Sequence, residues 1–417
     1  MAAIVEIRGR RVWDSRGQPA VEAEMRLEDG AMGRAIAPAG ASTGSGEAVA
    51  IDVREAVHQV NTSIATALLG LQPEQEAIDR RLIDLDGTPD KHRLGANAIV
   101  AVSLATAHAA AASAGVPLWK HLAGERRVAL PVPQIQIFGG GAHARGRVDL
   151  QDYLLVCTRA GSFTEALDWT AEVYRAAGAR LARRGALQGV ADEGGYWPAF
   201  KANEDGLAAL VDAIEDAGLK PGSDACIALD IAASQLFRDG RYQLALEDQS
   251  LGSEQLLAMY LRWIERYPIV SIEDPFAEHD AEAMRELTRV AGDRVQIVGD
   301  DFFVTDARRV AQAGGAGNAV LLKPNQVGTL TETLACWQAA RAEGFAGIVS
   351  ARSGESEDVT VVHLAVGWGV PQLKVGSFSR SERMAKWNEG LRIEEALGAG
   401  ALPYPARRLF KGRLRPA

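Results

Sequence analysis

The fold is decided by the stretch IVSIED at residues 269–274, a short apolar run that ends in acidic residues. The same pattern recurs along the second half of the chain, at residues 226–230, 295–301, 319–323, 347–350 and 372–375. The intervals leave room for a crossover helix each time, so we expect a parallel sheet. Polar residues at the carboxyl ends of parallel strands are typical of a (β/α)₈ barrel. The predicted fold class is therefore α/β with a (β/α)₈ barrel. A doubly wound sheet is less favoured, because no G-x-G-x-x-G follows a strand.

The first part of the chain has a different pattern. Residues 4–8 and 21–27 alternate as strands, and the apolar spacing at 53–69, 73–83 and 96–114 is helical. This combination predicts a small α+β domain. Pro131 and Pro133 hold the chain extended and mark a boundary. We therefore predict two domains, at residues 1–130 and 131–417.

Composition excludes several classes of function. The 417 residues carry 45 Lys plus Arg against 54 Asp plus Glu, a net charge of −9, which argues against nucleic-acid or anionic-membrane binding. The three cysteines lack metal-site spacing, and the N-terminus lacks an apolar signal region, so a cytoplasmic location is expected. The apolar run at residues 95–119 is rich in alanine and is interrupted by polar residues. We therefore expect it to form a buried helix and not a membrane span.

Acidic residues end three successive predicted strands. Asp230, Glu273 and Asp300 would converge on one rim of a barrel, where mutual repulsion makes a cation necessary. Oxygen ligands without His or Cys select Mg²⁺. The alternative is that each acid is only a helix N-cap, which is common at any single strand end.

Further charged residues lie at the same predicted rim. Lys323 ends the next strand, where burial and a nearby metal would lower its pKa and make it a neutral base; a surface ion pair is the alternative. Glu193, in a glycine-rich loop, is a candidate acid, although the segment could be an ordinary acidic turn. Arg352 and Ser353 can bind an oxyanion, and Lys374 can bind a carboxylate.

Nine short motifs together resemble the enolase (phosphopyruvate hydratase) family, nearly end to end. They are DSRG 14–17, GASTG 40–44, LDGT 85–88, GANAI 95–99, DEGG 192–195, SIEDP 271–275, LKPNQ 322–326, RSGE 352–355 and LRIEEALG 391–398. The resemblance implies an N-terminal α+β capping domain with a substrate-closing flap, and a C-terminal modified (β/α)₈ barrel. It also implies a homodimer or an assembly of dimers, two Mg²⁺ ions, and elimination of water from 2-phosphoglycerate.

The resemblance also implies roles for individual residues. Lys323 would be the base, Glu193 the acid, and Ser42 the flap ligand of the second Mg²⁺. The tighter Mg²⁺ would be held by Asp230, Glu273 and Asp300. Substrate contacts would come from His143, Asp152, Arg352, Ser353 and Lys374.

Several positions depart from the family pattern. Ala351 replaces a histidine, Gly139 an asparagine and Ala142 a glutamate, while Asp152 replaces a glutamate and is about 1.5 Å shorter. The loop after Ala50 is also shorter than in the family. Smaller residues would enlarge the pocket at the phosphate and leaving-group end, and would remove hydrogen-bond donors.

Three functions are compatible with these departures. The first is a diverged enolase-type lyase that makes an enolpyruvyl product. The second is an enzyme of phosphonate biosynthesis similar to carboxyphosphonoenolpyruvate synthase, with a phosphonylated carboxylate as substrate. The third is a non-catalytic paralogue that acts as a binding protein. Retention of Lys323, Glu193 and the acidic triad argues against the third.

Overall fold

The N-terminal part of the protein forms a small antiparallel sheet. A computed structural model describes residues 2–41 and 43–410, so the predicted ligand Ser42 lies outside the described residues. The sheet has the order β1-β2-β3, with strands β1 (Ile4–Trp13), β2 (Pro19–Leu27) and β3 (Met32–Ile36). Alternate residues of β2 and β3 face inward, where Val21, Ala23 and Met25 are fully buried. One face of this sheet therefore packs on helices.

The helices of this cap follow the sheet along the chain. They are α1 (Val53–Gln59), α2 (Ala65–Leu68), α3 (Gln75–Asp86), α4 (Ala96–Ser113) and α5 (Leu118–Ala123), with a π-helical turn at Val60–Ile64 between α1 and α2. Helix α4 alone is long and apolar enough to span a membrane among the described residues, but 78% of it is buried within the protein. A Cβ on Gly33 of β3 would overlap the backbone of α4 at Ala105 and Ala109. The sheet thus rests directly on α4, the buried helix that the sequence predicts.

The remaining strands build the large domain. They are β4 (Val132–Gly139), β5 (Asp152–Val156), β6 (Leu187–Val190), β7 (Tyr196–Pro198), β8 (Cys226–Asp230), β9 (Phe237–Arg238), β10 (Arg241–Leu244), β11 (Gln249–Leu251), β12 (Ile269–Glu273), β13 (Gln296–Gly299), β14 (Ala319–Leu322), β15 (Ala346–Ser350) and β16 (Gln372–Ser377). Strands β9 to β11 form a separate small sheet. Strands β6 and β7 form a hairpin beside β4.

The other strands close into a barrel of eight. Its order is β4-β5-β8-β12-β13-β14-β15-β16, and pairing of β16 with β4 closes it. The expectation of an all-parallel sheet is wrong at β5, which runs antiparallel to both β4 and β8. The link from Gly139 to Asp152 contains a 3₁₀ turn and no crossover helix, so the chain returns in the opposite direction. The barrel is therefore a modified (β/α)₈ barrel.

Helices surround this barrel. They are α6 (Phe163–Arg183), α7 (Glu204–Asp216), α8 (Ser253–Arg266), α9 (Ala281–Ala291), α10 (Ala307–Ala311), α11 (Pro324–Val327), α12 (Leu330–Ala342), α13 (Thr360–Trp368), α14 (Ser381–Leu397) and α15 (Ala406–Leu409). One buried apolar cluster runs from the cap, through α4, to α12 and α13 of the barrel. The cap is thus fixed on the barrel by a continuous core. The predicted domain boundary precedes Val132, the first residue of β4.

Candidate functional site

The three predicted metal ligands lie at the carboxyl ends of neighbouring strands. Asp230 ends β8, Glu273 ends β12, and Asp300 follows β13; all three are buried. The parallel register places Glu273 directly beside Asp230. Lys374 of β16 reaches both, and its Nζ donates to Asp230 Oδ2 at 2.6 Å and to Glu273 Oε2 at 2.8 Å. Asp230 and Glu273 thus share Lys374, whereas Asp300 pairs with Lys323, and the role of the three acids as metal ligands stays a prediction.

Burial and repulsion shape the pKa values in this cluster. Burial raises the pKa of Glu273 well above its ordinary value, and the neighbouring Asp230 raises it further. Burial alone would lower the pKa of Lys374, but Asp230, Glu273 and Asp152 outweigh it, so the pKa is raised. The ammonium form of Lys374 is thus strongly stabilised at this rim.

Lys323 lies at the same rim, immediately after β14. Its ammonium donates to Asp300 Oδ2. Burial favours the neutral amine, but the contact with Asp300 outweighs burial and raises the pKa of Lys323. The ion pair with Asp300 thus opposes the lowered pKa that we expect for Lys323 beside a bound metal, and that expectation stays a prediction.

The residues present fit a divalent cation. Glu273 Oε1 is buried and has no hydrogen-bond partner among the described residues. Ligand atoms of Asp274, Asp300 and Asp301 lie within 4.8 Å of one another. Asp274 itself accepts hydrogen bonds from the backbone N–H groups of Asp300 and Asp301, both at 2.8 Å, which orients the Asp300 segment. Hard carboxylate oxygens in this number suit Mg²⁺ or a similar ion.

A second buried group, of two acids and one histidine, lies next to Lys374. His143, Asp152 and Glu193 are buried, and one ligand atom from each lies within 4.8 Å of the others. His143 Nδ1 is 3.3 Å from Asp152 Oδ1, and His143 Nε2 is 3.8 Å from Glu193 Oε1. Burial raises the pKa of Glu193, although His143 opposes the rise. Burial would also raise the pKa of Asp152, but Lys374 and His143 lower it. The pKa values of the two carboxyl groups are therefore shifted in opposite directions.

The predicted oxyanion residues follow β15 and lie against residues 37–41 and 43–52, which we call the flap. Arg352 Nη1 and Nη2 donate to Glu47 Oε2 and Oε1 at 3.0 and 3.2 Å. Ser353 Oγ accepts from the backbone N–H of Ala41 at 2.6 Å and from Arg16 Nη1 at 3.3 Å. Of the five predicted substrate contacts, Asp152 thus contacts both Lys374 and His143, whereas Arg352 and Ser353 contact the flap.

Several residues that shape the site have no role among the sequence-based predictions. They are Arg16, Glu47, Gln136, Asp274, Gln326 and Arg383. Gln326 Nε2 donates to Asp300 Oδ1 at 2.9 Å and to Glu47 Oε1 at 3.3 Å, so it links the flap to the acidic cluster. Arg383 donates to the backbone carbonyls of Arg352 and Ser353. Arg16, Asp274 and Gln326 belong to the motifs given above, which was the available signal; the others required the tertiary fold.

The departures from the family pattern differ in their structural consequences. A Cβ on Gly139 would lie 2.5 Å from the Ala191 Cβ and 3.3 Å from Gln136 Nε2, so the prediction of extra room is wrong at this position. Ala142 is exposed and lines an outer cavity of 390 Å³. Ala351 is buried beside Arg352 and is the one of these departures that shortens a side chain within the oxyanion region.

The fold and this site define a barrel enzyme whose acidic rim is suited to a divalent metal and whose lysines and arginine favour an anionic substrate. Comparison with known proteins agrees. The family described as "Enolase, C-terminal TIM barrel domain" matches residues 127–411, and "Enolase, N-terminal domain" matches residues 4–122. Enolase 1 of Desulfitobacterium hafniense (strain Y51) is 46% identical over 423 residues, covering 98% of this chain and 97% of that protein. The chain belongs to the enolase family, and its activity is of the enolase lyase type.

Proposed function

We propose that this protein removes the proton α to the carboxylate of 2-phosphoglycerate and eliminates water, giving phosphoenolpyruvate, with Mg²⁺ as the metal. One observation carries the proposal. Lys374 contacts Asp230, Glu273 and Asp152. Its charge also interacts with those of Lys323 and Glu193, so all three groups belong to one buried cluster. A base and an acid in one cluster with a carboxylate-binding lysine suit a proton abstraction followed by departure of hydroxide.

The chain's own residues divide the steps. Lys323 accepts the proton from C2 once its ammonium is deprotonated, and the C–H electrons form the new C=C bond. Glu193, whose burial raises its pKa and favours its protonated form, gives its proton to the departing hydroxyl, so that water leaves as the C–O bond breaks. Atoms and charge then balance. Lys323 keeps one additional proton and Glu193 has lost one, and solvent exchange restores both residues.

Asp230, Glu273 and Asp300 would hold the principal Mg²⁺, and we assign Ser42 to the second ion by resemblance. When bound, these ions supply the positive charge that stabilises an enolate of the carboxylate. Lys374 adds a fixed ammonium at the same place. An acidic rim thus serves an anionic substrate, because it concentrates cations at the position where negative charge develops.

Recognition of the phosphate is assigned to Arg352 and Ser353, and the leaving-group end to His143 and Asp152. Arg352 offers a planar guanidinium that suits an oxyanion, and Ser353 a hydroxyl. Arg383 supports both by binding their carbonyls. The hydrogen bond from the Ala41 N–H to Ser353 Oγ supports a flap that closes over this oxyanion region, as the resemblance implies.

The phosphonate alternative rests on Ala351. A buried alanine beside Arg352 removes a donor and leaves less side chain around the oxyanion, which favours a substrate altered at that end. Gly139 does not support this alternative, because Gln136 and Ala191 fill its space. A non-catalytic paralogue is the least favoured function, because Lys323, Glu193 and the acidic triad are all in place.

The test uses purified protein, Mg²⁺ and 2-phosphoglycerate, followed by the ultraviolet absorbance of the enolpyruvyl product. We expect a steady rise in absorbance that EDTA and Lys323→Ala both abolish. Absence of product from folded, metal-loaded protein would exclude the proposal. Mass spectrometry with a nucleotide-activated phosphonate as co-substrate would then test the phosphonate alternative.

We also propose a cytoplasmic location and assembly as a homodimer or as a group of dimers. The three cysteines, Cys157, Cys226 and Cys336, are buried and form no disulfide within the described part of the chain, which supports a reducing compartment such as the cytoplasm. Resemblance to the family supports a homodimer or an assembly of dimers, and the exposed Trp13 of β1 is a candidate contact residue. Sedimentation equilibrium of the wild type and Trp13→Ser tests the assembly. We expect dimeric mass for the wild type, and a monomeric wild type would exclude it.

A further inference from the structure

Gln136 lies between the two segments that carry the acids of the leaving-group end. It is on β4 and is fully buried. Its Nε2 donates to Asp152 Oδ1 of β5, and its Oε1 accepts from the backbone N–H of Gly195 at 2.8 Å. Gly195 is two residues after Glu193. One amide therefore ties Asp152 to the loop that holds Glu193.

Two glycines make room for this amide. A Cβ at Gly195 would overlap Gln136 Oε1, and the φ of Gly195 is not among the positive values, so contact with Gln136 is the reason for a glycine there. A Cβ at Gly139 would approach Gln136 Nε2 at 3.3 Å and Ala191 at 2.5 Å. The space that a larger residue at position 139 would need is thus filled by Gln136 and Ala191, and it is closed to substrate.

The contacts also orient the Asp152 carboxylate. Gln136 and His143 both approach Oδ1, His143 at 3.3 Å. Oδ2 has no hydrogen-bond partner among the described residues and lies 3.3 Å from Lys374 Nζ. A carboxylate with one oxygen held by donors and the other directed at the charged cluster has a fixed orientation. This matters for an aspartate, which reaches less far than a glutamate.

We propose that Gln136 is a positioning residue, which holds the Asp152 carboxylate and the Glu193 loop in one fixed arrangement at the leaving-group end. The proposal rests on the proposed function and deepens it. The buried amide of Gln136 both fills the space beside Gly139 and orients the short side chain of Asp152. Its effect is on the geometry of the acids, so it acts on turnover more than on substrate binding.

The test compares Gln136→Met with Gln134→Met. Gln134 is a matched control, because it is buried on the same strand and donates one hydrogen bond, to Gln372 Oε1 at 2.9 Å. With 2-phosphoglycerate and Mg²⁺, we expect kcat of Gln136→Met to fall about 10- to 100-fold, the range for loss of a hydrogen bond to a charged group, with KM changed less than threefold. Gln136→Asn, which keeps a polar amide but shortens its reach, should fall in the same direction if the methionine variant folds poorly. Equal kcat values in the variants at 134 and 136 would overturn the proposal.

A second readout does not require turnover. His143 contacts Asp152, so its imidazole ¹⁵N resonances report the position of that carboxylate in the Mg²⁺-loaded protein; His143→Gln provides the assignment. We expect these resonances to shift in Gln136→Met and to stay unchanged in Gln134→Met. A protein that turns over no 2-phosphoglycerate yet shows this shift would refute the proposed function and support the role of Gln136. Unshifted His143 resonances in Gln136→Met would refute the role of Gln136.

Discussion

Two carboxyl groups of the leaving-group end lie beside the same histidine and have opposite pKa shifts. Burial raises the pKa of Glu193, whereas Lys374 and His143 outweigh burial at Asp152 and lower its pKa. Opposite shifts in neighbouring acids are how a site obtains one proton donor and one charged partner at the same pH. Burial therefore makes Glu193, and not Asp152, the better candidate for the proton donor.

The matching prediction concerns Glu193→Gln. The amide cannot give a proton to the departing hydroxyl, so we expect product formation to fall by about 10² to 10⁴, the usual contribution of a general acid. Stopped assays of phosphoenolpyruvate measure this. Asp192→Asn, which changes the neighbouring half-buried carboxylate, should stay within about threefold of wild type. Equal losses in both variants would contradict the assignment.

Residue-scale prediction from sequence succeeded where strand ends defined position. Asp230, Glu273, Asp300, Lys323 and Lys374 could be placed at one rim because parallel strands bring their carboxyl ends together. The partners of those residues could not be predicted. The Lys323 contact with Asp300 and the Gln136 contact with Asp152 depend on side-chain directions that only the closed barrel defines.

At the scale of elements, the flap is joined to the barrel by a short antiparallel bridge. The Ala39 N–H donates to the Gly354 carbonyl at 3.1 Å, and the Gly354 N–H donates to the Ala39 carbonyl at 2.9 Å. The same turn carries Ser353. The oxyanion region and the flap are therefore one connected structure.

Gly354→Ala tests this connection. A Cβ there would overlap Asp14 Oδ2 and come within 2.8 Å of the Ala39 carbonyl, which forces the flap away from the turn. We expect KM for 2-phosphoglycerate to rise about tenfold, the value of one or two hydrogen bonds. Gly252→Ala is the control, because its nearest neighbouring atom is 3.8 Å away. An unchanged KM in Gly354→Ala would show that the bridge does not matter for binding.

Strands and helices could be predicted where the apolar run was long and the chain was joined to the next element in the usual way for a (β/α)₈ barrel. The strands at Cys226–Asp230 and Ile269–Glu273 and helix α4 follow directly from their patterns. Strand β4 was not predicted, because Pro131 and Pro133 indicated a boundary. In the structure, Pro133 lies within β4, where it is buried beside Leu373. The reversed β5 was missed for a related reason, since strand direction depends on connections that local patterns do not encode.

At the scale of the whole molecule, cap and barrel meet around two histidines, one half-buried and one buried. His108 of α4 lies 6.3 Å from His363 of α13, ring to ring. His363 also faces Glu389 at 3.4 Å, and its Nδ1 has no hydrogen-bond partner among the described residues. Burial lowers the pKa of His363 to about 4, and the nearby His108 lowers it too, against the opposing effects of Glu389 and Asp358. The cap is therefore joined to the barrel through neutral imidazoles.

A pH dependence of stability follows. The unfolded chain protonates His363 near pH 6.5, while the folded chain does so only near pH 4, so this contribution to stability is complete above pH 6.5 and is lost as the pH falls towards 4. Between pH 7 and pH 5, we expect the free energy of unfolding to fall by about 2 kcal/mol more in wild type than in His363→Gln. Urea unfolding at both pH values measures this. His58→Gln, at an exposed site, should behave as wild type, and equal losses in all three proteins would contradict the account.

Metal binding should stabilise the entire fold, because the acidic cluster is buried and self-repelling. At a Mg²⁺ concentration of about 100 times Kd, we expect about 2.7 kcal/mol of added stability, seen as a rise in thermal midpoint over protein in EDTA. Asp300→Asn should remove most of this rise. Glu286→Gln, on an exposed helix, should keep it. A full rise in Asp300→Asn would exclude Asp300 as a ligand.

We assign to Lys323 the removal of the proton from C2, the carbon next to the carboxylate. Exchange of that proton with solvent measures this step directly. Mg²⁺-loaded protein is incubated with 2-phosphoglycerate in deuterium oxide, and NMR of the recovered substrate reports deuterium at C2. We predict incorporation with the wild type and with Glu193→Gln, and none with Lys323→Ala. Deuterium incorporation by Lys323→Ala at the wild-type rate, or none by the wild type, would contradict the account.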